Sequence, residues 1–178
     1  IGVGAFLSRI CFPRHRMWAM QIAIALVVGI GGCAGGVEAA EWEEIQQRGY
    51  LIVAVKDNLR PLGFRNTQGK LQGFEIDVAK RLAKRLLGSS EAIRWLPVSN
   101  QQRLAVILQG EADITIAHVT ATEMRSRVVS FSLPYYIDGA SAVVTDPAIE
   151  NWQELSQATI GVLAGSSTAA TVKYFYPE

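Results

Sequence analysis

An arginine in a polar loop is the side chain of this sequence whose chemistry points most directly to a ligand. Arg125 lies in segment 118–127, which follows the apolar run Asp113-Ile-Thr-Ile-Ala117 and is rich in hydroxyl and charged side chains. A guanidinium presents a rigid fork of N–H donors that pairs with a carboxylate through two parallel hydrogen bonds. Arg125 is therefore a candidate carboxylate-binding residue, and the competing interpretation is a solvated surface arginine.

A second candidate anion site lies further along the chain. The segment Gly165-Ser-Ser-Thr168 follows a β-rich run and precedes a predicted helix. Backbone N–H groups at the start of a helix can meet an anion, and Ser166 and Ser167 add hydroxyl groups there. The alternative is that these serines only cap the helix.

Short strand-like runs supply the framework for both loops. Leu51-Ile-Val-Ala-Val55 is a continuous apolar run, typical of a strand buried in a parallel sheet. Further strands are predicted at 92–96, 113–117, 141–145 and 159–163. Ligands of open α/β sheets bind beyond the carboxyl ends of the strands, and segment 118–127 follows such an end.

Helical periodicity alternates with these strands. Ile76, Ala79, Ala83 and Leu86 share one predicted helical face, and Lys80, Arg81, Lys84 and Arg85 lie on the other. Other helices are predicted at 102–108, before a Gly110 C-cap, and around 152–155. Residues 58–73 are rich in Gly, Pro and Asn and are predicted to be a loop. The alternation predicts an α/β fold.

The N-terminal residues read as an export leader. Arg9, Arg14 and Arg16 precede the apolar run 22–30, and small residues follow it, which is the three-part pattern of a secretory signal. The run is short for a membrane span, although a retained anchor is the alternative. Cleavage before Ala40 and lipidation at Cys33, within Ile30-Gly-Gly-Cys33, are competing interpretations.

Composition bounds the rest of the chain. Of the 178 residues, 49% are hydrophobic and 19% are charged, which is typical of a globular protein. Three of the 17 basic side chains lie in the leader, which leaves the body slightly acidic and without the charge pattern of a nucleic-acid-binding protein. Both cysteines, Cys11 and Cys33, also lie in the leader, so the body is expected to fold without a disulfide.

Four short motifs follow one another in a recognisable order. They are Gly73-Phe-Glu-Ile-Asp77, Gly110-Glu-Ala-Asp113, Thr120-Ala-Thr-Glu-Met-Arg125 and Phe131-Ser-Leu-Pro-Tyr135. Together they resemble the amino-acid type of bacterial extracellular solute-binding proteins, solute-binding family 3, which are the periplasmic components of ABC transporters. The resemblance implies a type II periplasmic-binding fold, in which two α/β lobes joined by a hinge close over the ligand.

The resemblance divides the chain into four parts. It implies a leader at 1–40, lobe one at 41–134, a hinge at 135–139, and the start of an incomplete lobe two at 140–178. The relatives continue with the rest of lobe two, including an acidic residue that binds the ligand ammonium group and a return strand. We therefore expect the second lobe of this chain to be truncated and its ammonium-binding acid to lie outside it.

The resemblance also implies which residues contact an amino-acid ligand. It places Arg125 and Thr120 on the α-carboxylate, with Ser166 or Ser167 reaching the same group from lobe two. Thr122 is interpreted as a helix cap. The candidate ligand-binding residues as a set are Arg125, Thr120, Ala117, His118, Ser166, Ser167, Lys56, Leu59 and Gln101.

Two positions depart from the family pattern. Relatives donate a backbone carbonyl from the Ala117-His118 pair to the ligand ammonium, and they commonly carry Gly where this sequence has His118. Relatives also often place an aromatic ring near Leu59, and none occurs there. The ligand side-chain preference is therefore left open, with Lys56 and Asp57 both near the predicted cleft.

The function implied by the resemblance is a transport receptor. It would capture a polar amino acid by hinge closure outside the cytoplasmic membrane, as a monomer, and dock on the membrane permease of an ABC importer. No enzyme activity, cofactor or metal is expected, because no nucleophile-base pair or metal-ligand cluster stands out. The alternatives are a ligand-sensing module of a larger protein, such as a sensor kinase or lytic transglycosylase fusion, and a dehydratase-like enzyme on the same fold.

Overall fold

The computed structural model describes residues 2–3, 6–7 and 40–176. The helices in this part of the chain are α1 (Trp42–Arg48), α2 (Phe74–Leu87), α3 (Gln102–Leu108), α4 (Glu123–Ser126), the 3₁₀ helix η1 (Trp152–Gln157) and α5 (Thr168–Phe175). The strands are β1 (Gly2–Val3), β2 (Phe6–Leu7), β3 (Leu51–Val55), β4 (Asn58–Leu59), β5 (Gly63–Arg65), β6 (Leu71–Gln72), β7 (Ile93–Pro97), β8 (Ile114–Ile116), β9 (Ser130–Phe131) and β10 (Tyr136–Ile137).

A five-stranded sheet in the order β7-β3-β8-β2-β9 forms the centre of the fold. β3 is parallel to β7 and β8, so the predicted strands at 51–55, 92–96 and 113–117 are confirmed as neighbours. Helices cover both faces of β3, since Val53 and Val55 pack on the α1 and α2 side and Ala54 packs on the α3 side. A strand covered on both faces requires the continuous apolar run seen in the sequence.

Helix α2 packs on the sheet through the predicted apolar face, with one exception. Ile76, Ala79 and Ala83 are buried against the sheet, whereas Leu86 is 40% exposed. With 100° per residue, position 87 returns to the direction of position 76, and position 86 falls about 80° away from it. Leu87 accordingly packs against the core in place of Leu86.

Segment 58–73 is more ordered than the predicted loop. β4, β5 and β6 form a small antiparallel sheet. The turn between β5 and β6 is held by the side chain of Asn66, whose Oδ1 accepts hydrogen bonds from the backbone N–H groups of Gln68 (3.0 Å) and Lys70 (2.9 Å). The Asn and Gly content that suggested a loop therefore builds a hairpin turn.

The predictions for 140–176 are partly wrong. The helices near 152–155 and after Gly165 are confirmed as η1 and α5. The predicted strands at 141–145 and 159–163 do not form: neither segment pairs with a strand among the described residues, and Val143 is 96% exposed. A strand requires hydrogen-bonding neighbours, which local propensity cannot supply.

Two dipeptides of the predicted leader pair with the body. β2 lies between β8 and β9, antiparallel to both, and β1 pairs with β10. The apolar run 22–30 and Cys33 lie outside the described residues, so the leader and its lipidation stay predictions. In the part of the chain that is described, no helix is both long and apolar enough to cross a membrane.

A buried carboxylate fixes β8 beside β3. Asp113 accepts a 2.7 Å hydrogen bond from the backbone N–H of Ile52 and pairs with the guanidinium of Arg48. Burial raises the pKa of Asp113, and these two donors oppose that shift. These two contacts hold the start of β8 against β3, and the polar loop follows the other end of β8.

Candidate functional site

A cavity of about 700 Å³ opens at the carboxyl ends of the parallel strands. Lys56 follows β3, the segment 99–103 follows β7, and His118 follows β8, so three neighbouring strands deliver polar residues to one edge of the sheet. Segments 138–140, 161–164 and 166–168 also line the cavity. Seven of the predicted ligand-binding residues line the cavity: Lys56, Leu59, Gln101, His118, Thr120, Ser166 and Ser167.

Arg125 and Ala117, the other two predicted ligand-binding residues, do not line the cavity. The guanidinium of Arg125 donates to the carbonyl oxygens of Thr120 (3.0 Å) and Gly165 (3.3 Å). Partial burial lowers the pKa of Arg125. Thr122 has the predicted cap role, because its hydroxyl accepts from the N–H of Arg125 at the start of α4 (3.4 Å).

A second arginine, which sequence analysis missed, reaches the cavity from α3. Arg103 is only 3% exposed and donates to three carbonyl oxygens, those of Ala117 (3.1 Å), His118 (2.5 Å) and Gly165 (3.1 Å). Burial and the charge of Arg125 lower the pKa of Arg103 to about 10. Its Nε has no partner among residues 40–176.

The Ala117-His118 pair lies beside Arg103. The carbonyl oxygens of both residues accept from Arg103, and the contact of one of them with a ligand ammonium group stays a prediction. His118 adopts a positive φ of 51°, which is uncommon for a residue with a side chain. Its Nε2 lies 3.0 Å from Oδ2 of Asp138, another cavity residue that was not predicted.

A fully buried glutamate supports this unusual backbone. Oε1 of Glu75 accepts from the N–H of His118 (2.6 Å) and from the hydroxyl of Tyr135 (2.7 Å), and Oε2 has no partner within the described chain. Burial raises the pKa of the Glu75 carboxyl. Burial and the neighbouring Glu75 raise the pKa of Tyr135 as well.

We predict that Glu75→Gln and Glu75→Ala have different effects. Gln keeps an oxygen acceptor for His118 and Tyr135, whereas Ala leaves both donors unpaired and lowers the free energy of unfolding by about 1–3 kcal/mol. The raised pKa means that the folded state binds the Glu75 proton more tightly than the unfolded state. Stability contributed by this proton is therefore lost as the pH rises above the ordinary value of 4.5 and through the folded pKa.

Urea unfolding between pH 4.5 and 8 checks this prediction. Glu75→Gln should gain stability relative to the unmodified protein as the pH rises, because it has no proton to lose. A stability difference between these two proteins that stays constant over this pH range would contradict the assignment.

Segment 165–168 docks on residues that precede it by 40 positions or more. The Gly165 carbonyl accepts from both arginines, and the Ser167 hydroxyl donates to Oγ1 of Thr120 (3.1 Å). Ser167 flanks α5 but makes no side-chain cap hydrogen bond, so simple capping does not describe it. The hydroxyl of Ser166 is buried without a partner among the described residues.

Lys56, Leu59 and Gln101 form the side of the cavity nearest β3 and β7. Lys56 is 6% exposed, and its Nζ donates to the carbonyl oxygen of Val98 (3.2 Å). Leu59 is half-buried, and Gln101 is exposed at the start of α3. In the described ranges, no group of three or more His, Cys, Asp or Glu side chains is placed to hold a metal ion.

Comparison with known proteins gives consistent sequence matches. The glutamine-binding protein of Geobacillus stearothermophilus is 32% identical and aligns with 93% of this chain and 72% of its own length. The glutamine-binding protein of a Bacillus subtilis ABC transporter is 27% identical, over 88% of this chain and 60% of its own length. The L-cystine-binding protein of Escherichia coli K12 is 30% identical, and this chain spans 54% of its length.

Solved structures show the same similarity. A cysteine-binding protein from Campylobacter jejuni superposes with a TM-score of 0.66 at 26% identity, over 76% of this chain and 55% of that one. An ancestral amino-acid-binding protein, described as a precursor of cyclohexadienyl dehydratase, gives a TM-score of 0.68 at 29% identity, over 76% and 61%. The model of the bacterial extracellular solute-binding proteins, family 3, matches residues 51–167. With the parallel sheet and the cavity at its carboxyl edge, these matches show that the chain belongs to family 3 of the bacterial extracellular solute-binding proteins.

Proposed function

We propose that this chain is the ligand-capturing part of an extracytoplasmic receptor that serves an ABC importer, and that its ligand is a polar amino acid. The support is the family, whose matched members carry the names of amino-acid-binding proteins. We assign it no catalytic step. The permease of the importer would be its membrane partner.

The observation that carries the proposal is the direct hydrogen bonding of segment 165–168 to Arg125, Arg103 and Thr120 beside the cavity. A ligand bound there would contact both sides at once. We assign to the ligand carboxylate the acceptor position now held by the Gly165 carbonyl oxygen, beside Arg125 and Thr120. The hydroxyl of Ser166, buried without a partner among the described residues, would then donate to the same carboxylate.

Closure follows from this arrangement. If segments 138–140 and 161–168 move relative to the sheet, a ligand that contacts both sides favours the closed form by its differential affinity. The hinge that we propose, 135–139, begins at Tyr135, which is tied to Glu75 and hence to the backbone of His118. The hinge and the cavity floor would therefore share one hydrogen-bond network.

We expect one or a few polar L-amino acids to raise the melting temperature of the full-length protein. A ligand present at a hundred times its Kd adds about 2.7 kcal/mol to the free energy of unfolding. A thermal-shift screen of the standard L-amino acids, followed by calorimetry, measures this, with the D-enantiomers as controls. If no L-amino acid stabilises the protein, the proposed function is wrong.

A further inference from the structure

The buried part of the cavity carries two positive charges close together. Lys56 and Arg103 both line it, and they are 6% and 3% exposed. Neither makes a salt bridge with an Asp or Glu in the described part of the chain, where the ion pairs involve other residues. The acidic side chain that lines the cavity, Asp138, is 46% exposed. The buried part of the cavity is therefore cationic.

The positive charge of Arg103 disfavours the charged form of Lys56. Burial lowers the pKa of Lys56 and the charge of Arg103 lowers it further, while the carboxyl groups of Asp57 and Glu75 oppose the shift. Oε1 of Glu75, the nearby buried carboxyl, already accepts from His118 and Tyr135. A buried charge without a partner is costly, so an anion placed beside these two cations would be held strongly.

The free donors identify which cation would contact that anion. The guanidinium of Arg103 donates to three carbonyl oxygens, and its Nε, which has no partner among the described residues, is buried out of reach of solvent. Nζ of Lys56 donates to one oxygen, that of Val98, and an ammonium group has three donors. Lys56 can therefore bind a ligand directly, while Arg103 adds positive potential to the cavity that both residues line.

We propose that the ligand is an amino acid with a second carboxylate, and that Lys56 binds this side-chain carboxylate. The inference rests on the proposed function and narrows it to a ligand class. An amide side chain can offer Lys56 its carbonyl oxygen but no negative charge, so the Lys56 charge would stay uncompensated and the site should discriminate against the neutral isosteres.

Calorimetry on the full-length protein tests this with two matched pairs of ligands. L-glutamate or L-aspartate should bind at least about tenfold more tightly than L-glutamine or L-asparagine. Equal or tighter binding of the amides would overturn the ligand class and leave the proposed function standing. If none of the four ligands and no other amino acid binds, both fail.

The variant Lys56→Met then assigns the residue. Met has a similar length and no charge, so affinity for the acidic ligand should fall about a hundredfold, while affinity for its amide changes less than about threefold. Lys70→Met, at an exposed turn, is the matched control and should change neither affinity. If Lys56→Met lost affinity equally for the acidic ligand and for its amide, the specificity role of Lys56 would be overturned. Lys56 would then only shape the cavity.

Discussion

Arg125→Ala is expected to weaken amino-acid binding about a hundredfold or more. The guanidinium is half-buried and lies between Thr120 and Gly165, where we place the ligand carboxylate. Removing one partner of a buried, hydrogen-bonded ion pair costs about 3–5 kcal/mol, because the other charge is left buried without compensation. Calorimetric titration of the full-length variant measures the loss.

Arg127→Ala is the control for this prediction. Arg127 lies two residues further along, is 66% exposed, and pairs with Glu123 on the surface. Exposed pairs of this kind contribute little, so ligand affinity should change less than about twofold. A loss of less than about fivefold in Arg125→Ala would remove Arg125 from the site.

Gly165→Ala is the second substitution with a large expected effect. Gly165 has a φ of +76°, and an added Cβ would lie 3.0 Å from the backbone carbonyl of Asn100 and 3.1 Å from the N of Gln101. Backbone atoms at the start of α3 cannot swing away as a side-chain tip can, and L side chains disfavour this φ. The backbone of segment 165–168 should therefore shift and move the Ser166 hydroxyl away from the ligand carboxylate on which we place it, which we expect to lower ligand affinity about tenfold or more.

Gly161→Ala is the matched control for Gly165→Ala. Gly161 also lines the cavity, but its φ is ordinary and no atom lies within 4 Å of an added Cβ. The ligand affinity of Gly161→Ala should stay within about twofold of that of the unmodified protein. Equal affinities in the two variants would show that the contacts of Gly165 do not contribute to binding.

Local sequence patterns were sufficient to predict the three parallel strands of the central sheet, but not β2 and β9. β3 was predicted with its observed bounds because a strand covered on both faces must be apolar at every position. Helix α3 was likewise predicted at 102–108, ahead of a glycine that adopts a positive φ of 70°. Both signals depend on the burial and backbone geometry of the segment itself.

The interior polar residues could not be predicted in this way. Arg103 and Glu75 lie on helices where a charged residue ordinarily faces solvent, and their burial appears only when β8 and the hinge are placed beside them. The period of α2 did contain a signal for Glu75, since it lies four residues before the buried Ala79 and so shares the buried face. The predictions of strands at 141–145 and 159–163 were wrong because strand propensity is a property of the segment itself, whereas a strand also needs a hydrogen-bonding neighbour from elsewhere in the chain.

Carboxylate recognition by Arg125 is the central claim, and chemical modification of the ligand tests it most directly. The tightest-binding amino acid and its α-carboxamide would be titrated into the unmodified protein and into Arg125→Ala. We predict that the amide binds about a hundredfold more weakly than the acid to the unmodified protein, and that this difference nearly disappears in Arg125→Ala. Equal binding of acid and amide to the unmodified protein, or an undiminished difference in the variant, would contradict the account.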